Sequence, residues 1–210
     1  MAQVDVDLGS ARQQLQALHG KLSDLSPLYK ILAGVLEDET EANFAAQGRP
    51  QWMPLADATK ASRLKRNRGS SVLKILQDRG TLAASVSSGY GSDHAEIGAG
   101  GAAKDYAGAQ QFGATIERPP YSTKVRLRTD RQGNLLRQTK DGKPGKLAVF
   151  AKDHHKRARE SWHEVAGFTI KIPARPYLPF DGPSNAPVLQ AAAQASVLSA
   201  ITRYLDTAAT

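Results

Sequence analysis

Near the start of the chain, apolar residues recur at three- and four-residue steps. Leu15, Leu18, Leu22 and Leu25 therefore fall on one helical face. The pattern predicts two helical stretches across residues 10–47, the first capped by Ser10 after Gly9. At Ser26-Pro27 it predicts a restart, with Ser26 as cap and Pro27 in the first helical position. The second stretch carries Leu28, Ile31, Leu32, Val35, Leu36 and Phe44, and a left-handed C-cap is expected at Gly48. The apolar spacing is too short and too interrupted for a sustained heptad seam. It reads as an amphipathic hairpin packed on its own domain.

From Gly48 to Gly69 the sequence is polar, basic and loop-like, with Trp52 held between Pro50 and Pro54. A large aromatic there either pins the loop to the core or anchors a subunit interface. Residues 71–98 hold two short apolar units split by Gly80, and His94 to Ile97 is a short strand candidate. Asp105 to Phe112 reads as one helix stopped by Gly113. Beyond it lies a long arm, residues 114–172. Val125 to Thr129 alternates apolar and basic positions, the period of a half-exposed strand. Asp130 to Asn134 and Lys140 to Gly145 are turn sequences, and Leu147 to Phe150 and Val165 to Ile172 are further strands.

The segment from Ile172 to Phe180 holds Pro173, Pro176 and Pro179, too many prolines for a helix or a central strand. A terminal helix is expected from Ala186 to Leu205, begun at Asn185 with Pro187 in its first turn. The whole reads as an α+β fold. N-terminal helices and a C-terminal helix surround a small mixed or antiparallel sheet, with 114–172 as a β-hairpin insertion in a single domain of 1–210.

Composition narrows the chemistry. The 210 residues are 40% hydrophobic, enough for a real core, but only 6% aromatic. No stretch approaches the roughly 18 apolar residues of a membrane span. Met1 to Asp7 lacks the basic start and apolar run of a secretory signal, so none is expected. Cysteine is absent, which removes thiolate chemistry and fits a reducing cytoplasm. The net charge of +8 gathers in clusters around residues 60–68, 118–146 and 152–159. Such a surface suits an acidic protein neighbour or DNA.

No catalytic, cofactor or metal residue is expected. His163-Glu164 lacks the second histidine of a zincin motif, and His154 and His155, being adjacent, would point in different directions on a helix or strand. The Gly98 to Gly101 run lacks the Lys-Ser/Thr of a phosphate loop and reads as a turn. No Gly-x-Ser-x-Gly elbow occurs.

Four short motifs stand in order. The first is Trp52-Met53-Pro54-Leu55 with Thr59 and a basic run containing Arg63, Lys65, Arg66 and Arg68. The second runs from Ile75-Leu76 through Gly80 to Leu82. The third is Tyr106-Ala107 closing on Gln111-Phe112-Gly113, and the last is Ile172-Pro173-Ala174-Arg175-Pro176-Tyr177-Leu178. This series resembles the phage virion-morphogenesis and tail-completion family of Mu-like phages. The chain departs from many relatives in its long 114–172 connection and in Gln110, where a histidine is common.

As scaffolding, Trp52, Leu76, Leu82, Tyr106, Phe112, Tyr177 and Leu178 are expected in the core, and Gly80 and Gly113 at element ends. Arg175 is the candidate for a buried or inter-subunit salt bridge. The resemblance implies a structural virion protein assembled in the host cytoplasm, forming a homo-oligomeric ring at the head–tail junction or the top of the tail. A hexamer is the first expectation and a dodecamer the alternative. The implied partners are other copies and neighbouring tail-tube and head–tail connector proteins, with DNA only as lumen content and no membrane. Arg126, Arg128, Lys156 and Arg157 in the arm, with the 63–68 cluster, are the expected partner-facing cations. The reading from another class is a basic DNA-binding accessory protein.

Overall fold

The computed structural model describes residues 9–66, 73–140 and 143–209. The chain is α+β and separates into two compact units, residues 1–114 with 172–210, and residues 115–171. Arg68 and Val72 lie outside the described residues.

The first unit begins with α1 (Gly9–Ser23) and α2 (Ser26–Ala46). Pro27 opens α2 as expected, but Ser26 is not its cap. The preceding Asp24 does that work, its carboxylate accepting the Ser26 N–H at 2.9 Å. At the other end the left-handed cap is Gln47 (φ 58°), one residue before the expected Gly48. Gln47 tolerates this strained conformation because both its ends are tied. Its side-chain amide donates to the Phe44 carbonyl, and its oxygen accepts the Ile75 N–H at 2.6 Å. Gly48, also at positive φ (102°), has a different task. A Cβ there would lie 2.5 Å from the Trp52 ring, so only glycine lets the indole close over the helix end.

The stretch read as a continuous loop after Gly48 contains a helix, α3 (Asp57–Arg66). Its basic last turn complements the negative end of the helix dipole, which a purely apolar pattern does not reveal. Next come β1 (Val86–Tyr90) and β2 (Ala95–Ala99), paired antiparallel from Val86–Ala99 to Tyr90–Ala95. Gly98 is thus a strand residue rather than part of a turn. Then follows α4 (Lys104–Phe112), stopped at Gly113 (φ 76°).

After the arm, a proline-rich segment leads into β9 (Phe180–Asp181), β10 (Val188–Leu189) and α5 (Ala191–Ala209). The terminal helix starts later than its apolar pattern suggests because Val188 and Leu189 pair with Asp181 and Phe180. α2 packs against α5 and against the β1–β2 hairpin, and α1 packs on α5. Ala193 and Ala200, both buried and seven residues apart, leave room for close helix approach. α1 buries no residue, and Leu15 and Leu22 stay exposed. The predicted apolar face is real, yet it is only lightly covered.

The core is small: Phe44, Trp52, Leu82, Ala103, Ala107 and Tyr177, with Ile75, Leu76, Ala83, Val86, Ala99 and Leu178 packed around them. The Trp52 ring meets Phe44 edge-on at 5.9 Å, and Tyr177 lies 5.6 Å from Phe44 on another side. Tyr106, expected in this core, is instead exposed. It sits one position from Ala107, which faces inward, and neighbouring helix positions point about 100° apart.

In the second unit, β4 (Tyr121–Arg128) and β7 (Ala158–Val165) form an eight-pair antiparallel ladder. β5 (Arg137–Lys140) and β6 (Lys143–Ala148) form a hairpin, and β3 (Ala114–Arg118) pairs with β8 (Phe168–Ile172). The far edge of β4 takes residues 149–151, with Arg128 N–H on the Val149 carbonyl and Ala151 N–H on the Arg126 carbonyl, both at 2.8 Å. Strand residues are therefore divided among two-stranded ladders rather than gathered in one central sheet.

Substituting Gly48→Ala should drive the indole of Trp52 from its site and destabilise the protein by about 1–3 kcal/mol, the range for overpacking. Urea denaturation measures the loss. Fluorescence gives an independent reading, because the protein's other indole, Trp162, is already 70% exposed.

Candidate functional site

The motif residues converge on the segment 172–181, which threads the first unit with no long strand beside it. Pro173, Pro176 and Pro179 carry no N–H, so this segment has few donors to satisfy. Nearly every remaining polar group from Arg175 to Phe180 is bonded individually. The Arg175 N–H donates to the Gln110 carbonyl at 2.7 Å, and the Trp52 indole donates to the Pro176 carbonyl at 2.9 Å. The Gln111 side-chain oxygen accepts from Tyr177 N–H and Leu178 N–H, both at 2.9 Å, while its amide donates to the Phe180 carbonyl at 2.8 Å. Asn43, fully buried on α2, donates to the Tyr177 carbonyl and to the Gln190 side chain.

This network continues to the surface. The Asn43 oxygen accepts from Arg49 at 2.8 Å, and Arg49 forms a 2.6 Å ion pair with Glu39. Burial pushes the Glu39 carboxyl upward, but hydrogen bonds from Ser196 and Arg49 outweigh it and hold the group below its usual value. Asn43, Gln111 and Gln190 carry this arrangement, and no sequence motif marks Asn43 or Gln190. The available signal was an amide in an otherwise apolar stretch of α2, one position before Phe44.

Arg175 is 8% exposed and its guanidinium meets no carboxylate among the described residues. Instead of the expected salt bridge within the chain, its side chain donates to the carbonyls of Met53 (3.0 Å) and Pro54 (3.3 Å). Burial, and after it the nearby Arg63 charge, hold its pKa below the ordinary value. The pair of carbonyls ties the Trp52 loop to the proline segment. Gly113 lies against the same segment, where a Cβ would sit 3.0 Å from Ala174 N. Leu82 is buried, and Leu55, Leu76, Phe112, Pro173 and Pro176 are half-buried, whereas Pro54 is exposed. Gly80 holds a positive φ of 73°.

The expected partner-facing cations divide into two groups. In the α3 group, Arg63 and Arg66 both pair with Asp78, at 3.5 and 2.8 Å, and Lys65 is exposed. In the arm, Arg126 pairs with Asp153 at 3.1 Å and has its Nε 2.9 Å from Glu160, off the N–H direction, so that contact is ionic rather than a hydrogen bond. Lys124 pairs with the same Glu160. Arg128, Lys156 and Arg157 make no ion pair among the described residues; Lys156 and Arg157 are exposed and Arg128 half-buried. His154 and His155 lie on neither a helix nor a strand, so the divergence expected of those elements does not arise. They sit in a turn, with ring centres 4.3 Å apart, and His155 Nδ1 accepts the Lys152 N–H. Burial, then the His154 charge, keeps His155 below its usual pKa.

The charge follows the unit boundary. Residues 115–171 hold 14 Lys or Arg against 6 Asp or Glu, and the rest of the chain holds 14 against 14. The whole net charge of +8 therefore belongs to the arm. The arm also exposes large apolar side chains: Leu147 and Phe150 at 68% and Trp162 at 70%. On the first unit, Glu37 and Glu41 stand one turn apart on α2 beside a groove of about 320 Å³ floored by Phe44, Ala83 and Val86, with Lys74 also lining it. Like charges at this spacing cost roughly 0.2–0.5 kcal/mol when nothing neutralises them.

Two outcomes follow from the threaded segment. Gln111→Leu strips the acceptor from two N–H groups and should cost about 2–5 kcal/mol in urea denaturation, at about 1–3 kcal/mol per unmet buried donor. Gln111→Glu keeps the acceptor but sets a buried carboxylate oxygen against the Phe180 carbonyl, so it should destabilise as well. Burial also pushes the Tyr177 phenol from 10.0 up to about 12. The unfolded chain then releases this proton first as pH rises, so stability should fall between about pH 10 and 12. Tyr177→Phe should flatten that part of the stability–pH curve.

Comparison with known proteins adds the family. The model of the phage virion morphogenesis family matches residues 6–205. No curated protein and no solved structure matches the chain. Among the described residues no helix is long and apolar enough to cross a membrane, and no group of three or more His, Asp or Glu is placed to hold a metal. The match runs through all four motifs, the threaded segment they enclose and the basic arm, and on that extent the chain belongs to the phage virion morphogenesis family.

Proposed function

We propose that this protein is a structural component of a tailed-phage virion that assembles into a homo-oligomeric ring at the head–tail junction or the top of the tail, as a tail-completion, terminator or neck component. The observation that carries this reading is the arm. In a member of a virion morphogenesis family, a separate β unit bears the entire net charge of +8 and exposes Leu147, Phe150 and Trp162. Apolar side chains left in water at this level mark a surface meant to be covered. A basic surface favours an acidic protein neighbour, which in a virion means another copy or a tail-tube or connector protein. The work done is mechanical: shape and charge complementarity hold a closed collar together, with no bond-making step.

A ring of identical copies uses heterologous contacts, so one edge of each subunit must fit a different edge of the next. Six copies match the symmetry of a phage tail, and twelve at a connector is the alternative. The DNA-binding reading draws on the same positive charge. It is disfavoured because the large apolar side chains of the arm would gain little from a phosphate backbone, which rewards cations.

Mass measurement of the purified protein across concentrations should show a discrete closed oligomer, and electron microscopy of virions should place it at the joint. Variants unable to self-associate should yield particles that fail to join heads to tails. Infectious particles from such variants would defeat the proposal. Nanomolar, steeply salt-dependent binding of duplex DNA by a protein that never oligomerises would move the reading to a DNA accessory protein.

A further inference from the structure

The register of the β4–β7 ladder sorts the arm's charges onto two unlike faces. Residues directly opposite each other in an antiparallel pair share a face, and neighbours along a strand alternate. Arg126 opposite Glu160 and Lys124 opposite Trp162 thus share one face. There Glu160 and Asp153 pair with Arg126, and Glu160 with Lys124, so most of that side's charge is neutralised, with Arg128 opposite Ala158 left without an ion pair. The other face carries Tyr121, Leu127 opposite Arg159, and Thr123 opposite His163. Phe150 joins it through its bridge to Leu127. Arg157 follows one step on, where its carbonyl accepts the Thr129 N–H. No Asp or Glu occupies a β4 or β7 register position on this side. Its cations have no acid within the chain's described residues, and Phe150 stands 68% exposed among them.

The first unit carries the matching surface. The groove beside α2 has an apolar floor of Phe44, Ala83 and Val86 and carboxylates at Glu37 and Glu41. Neither carboxylate is paired with a cation among the described residues; Glu37 only accepts a hydrogen bond from the Ser88 hydroxyl at 3.0 Å. The groove's lining holds two carboxylates against one lysine, Lys74, so a ring flanked by arginines brings it charge of the opposite sign and an apolar side chain for its floor. We infer that the Phe150–Arg159 face of the arm docks in the Glu37–Glu41 groove of a second copy of this chain. The two surfaces differ, so the contact is head-to-tail and repeats from copy to copy. This deepens the self-assembling reading and rests on it.

Charge exchange tests it in the full-length protein by sedimentation velocity, with circular dichroism confirming the fold of each variant. Arg157→Glu with Arg159→Glu makes the arm acidic, and Glu37→Lys with Glu41→Lys makes the groove basic. Each double variant alone should self-associate at least about tenfold more weakly than wild type, since like charges then meet. An equal mixture of the two should assemble again, because acidic arms fit basic grooves and the remaining arms and grooves are unchanged. Phe150→Ser should weaken assembly without any change of charge. Wild-type assembly with both charge variants assembling equally well overturns this contact and leaves the ring standing. A wild-type protein that stays monomeric at every concentration overturns the ring and this contact together. If Arg157→Glu with Arg159→Glu abolishes duplex-DNA binding while self-association is untouched, the face belongs to nucleic acid and the inference fails.

Discussion

The fold depends on how one proline-rich strand of chain is kept dry. Residues 172–181 run through the body of the first unit without a sheet to absorb their peptide groups. A buried peptide group without a partner costs more than most single contacts return. The protein's answer is to remove some donors with prolines and to meet the remaining peptide groups one by one: the Gln111 side chain accepts from two N–H groups, and Asn43, Trp52 and the Gln190 backbone N–H donate to carbonyls. Each of those residues comes from a different part of the chain. Satisfying the segment therefore fixes α2, the Trp52 loop, α4 and the start of α5 against one another.

Arg175 extends the same logic to charge. A buried guanidinium is normally matched by a carboxylate. Here it spends its donors on the carbonyls of Met53 and Pro54, which have no partner in a helix or strand. The cation closes a loop as a multiple hydrogen-bond donor, a role for which its planar fork is suited and a lysine is not. One of the body's ion pairs, Arg49 with Glu39, lies beside this network, and Arg49 donates to the Asn43 side-chain oxygen.

The arm obeys opposite rules. Two-stranded ladders have two faces and almost no interior, so they bury little apolar surface by themselves. Their alternation then becomes a way to present chemistry on a chosen side. Pairing Arg126 with Asp153 and both Arg126 and Lys124 with Glu160 neutralises most of one face, while Arg159 and Phe150 lie on the other. The body thus carries balanced charge, and the arm holds the whole excess.

Periodicity located α1, α2, much of β4 and the terminal helix, and Asp105 with Gly113 bracketed α4, whereas β3, β5 and β7 showed no regular step and half of β6 fell in a segment read as a turn. The α+β class followed from the order of predicted elements and the family from four ordered motifs, and Trp52, Leu82 and Tyr177 lie in the core. Tertiary structure decided the rest. Tyr106 faces water because its neighbour Ala107 takes the inward position, and the helix register is set by packing that composition does not encode. Gln47, rather than Gly48, takes the left-handed cap because Ile75, distant in sequence, bonds its side chain. Asn43 bonds Tyr177 and Gln190 across more than a hundred residues of sequence, a contact that local spacing does not reveal. Which arginines are neutralised depends on strand register, a pairing between distant segments. Local spacing reports what a residue's own element wants; only the folded chain reports what the other elements leave it to bond.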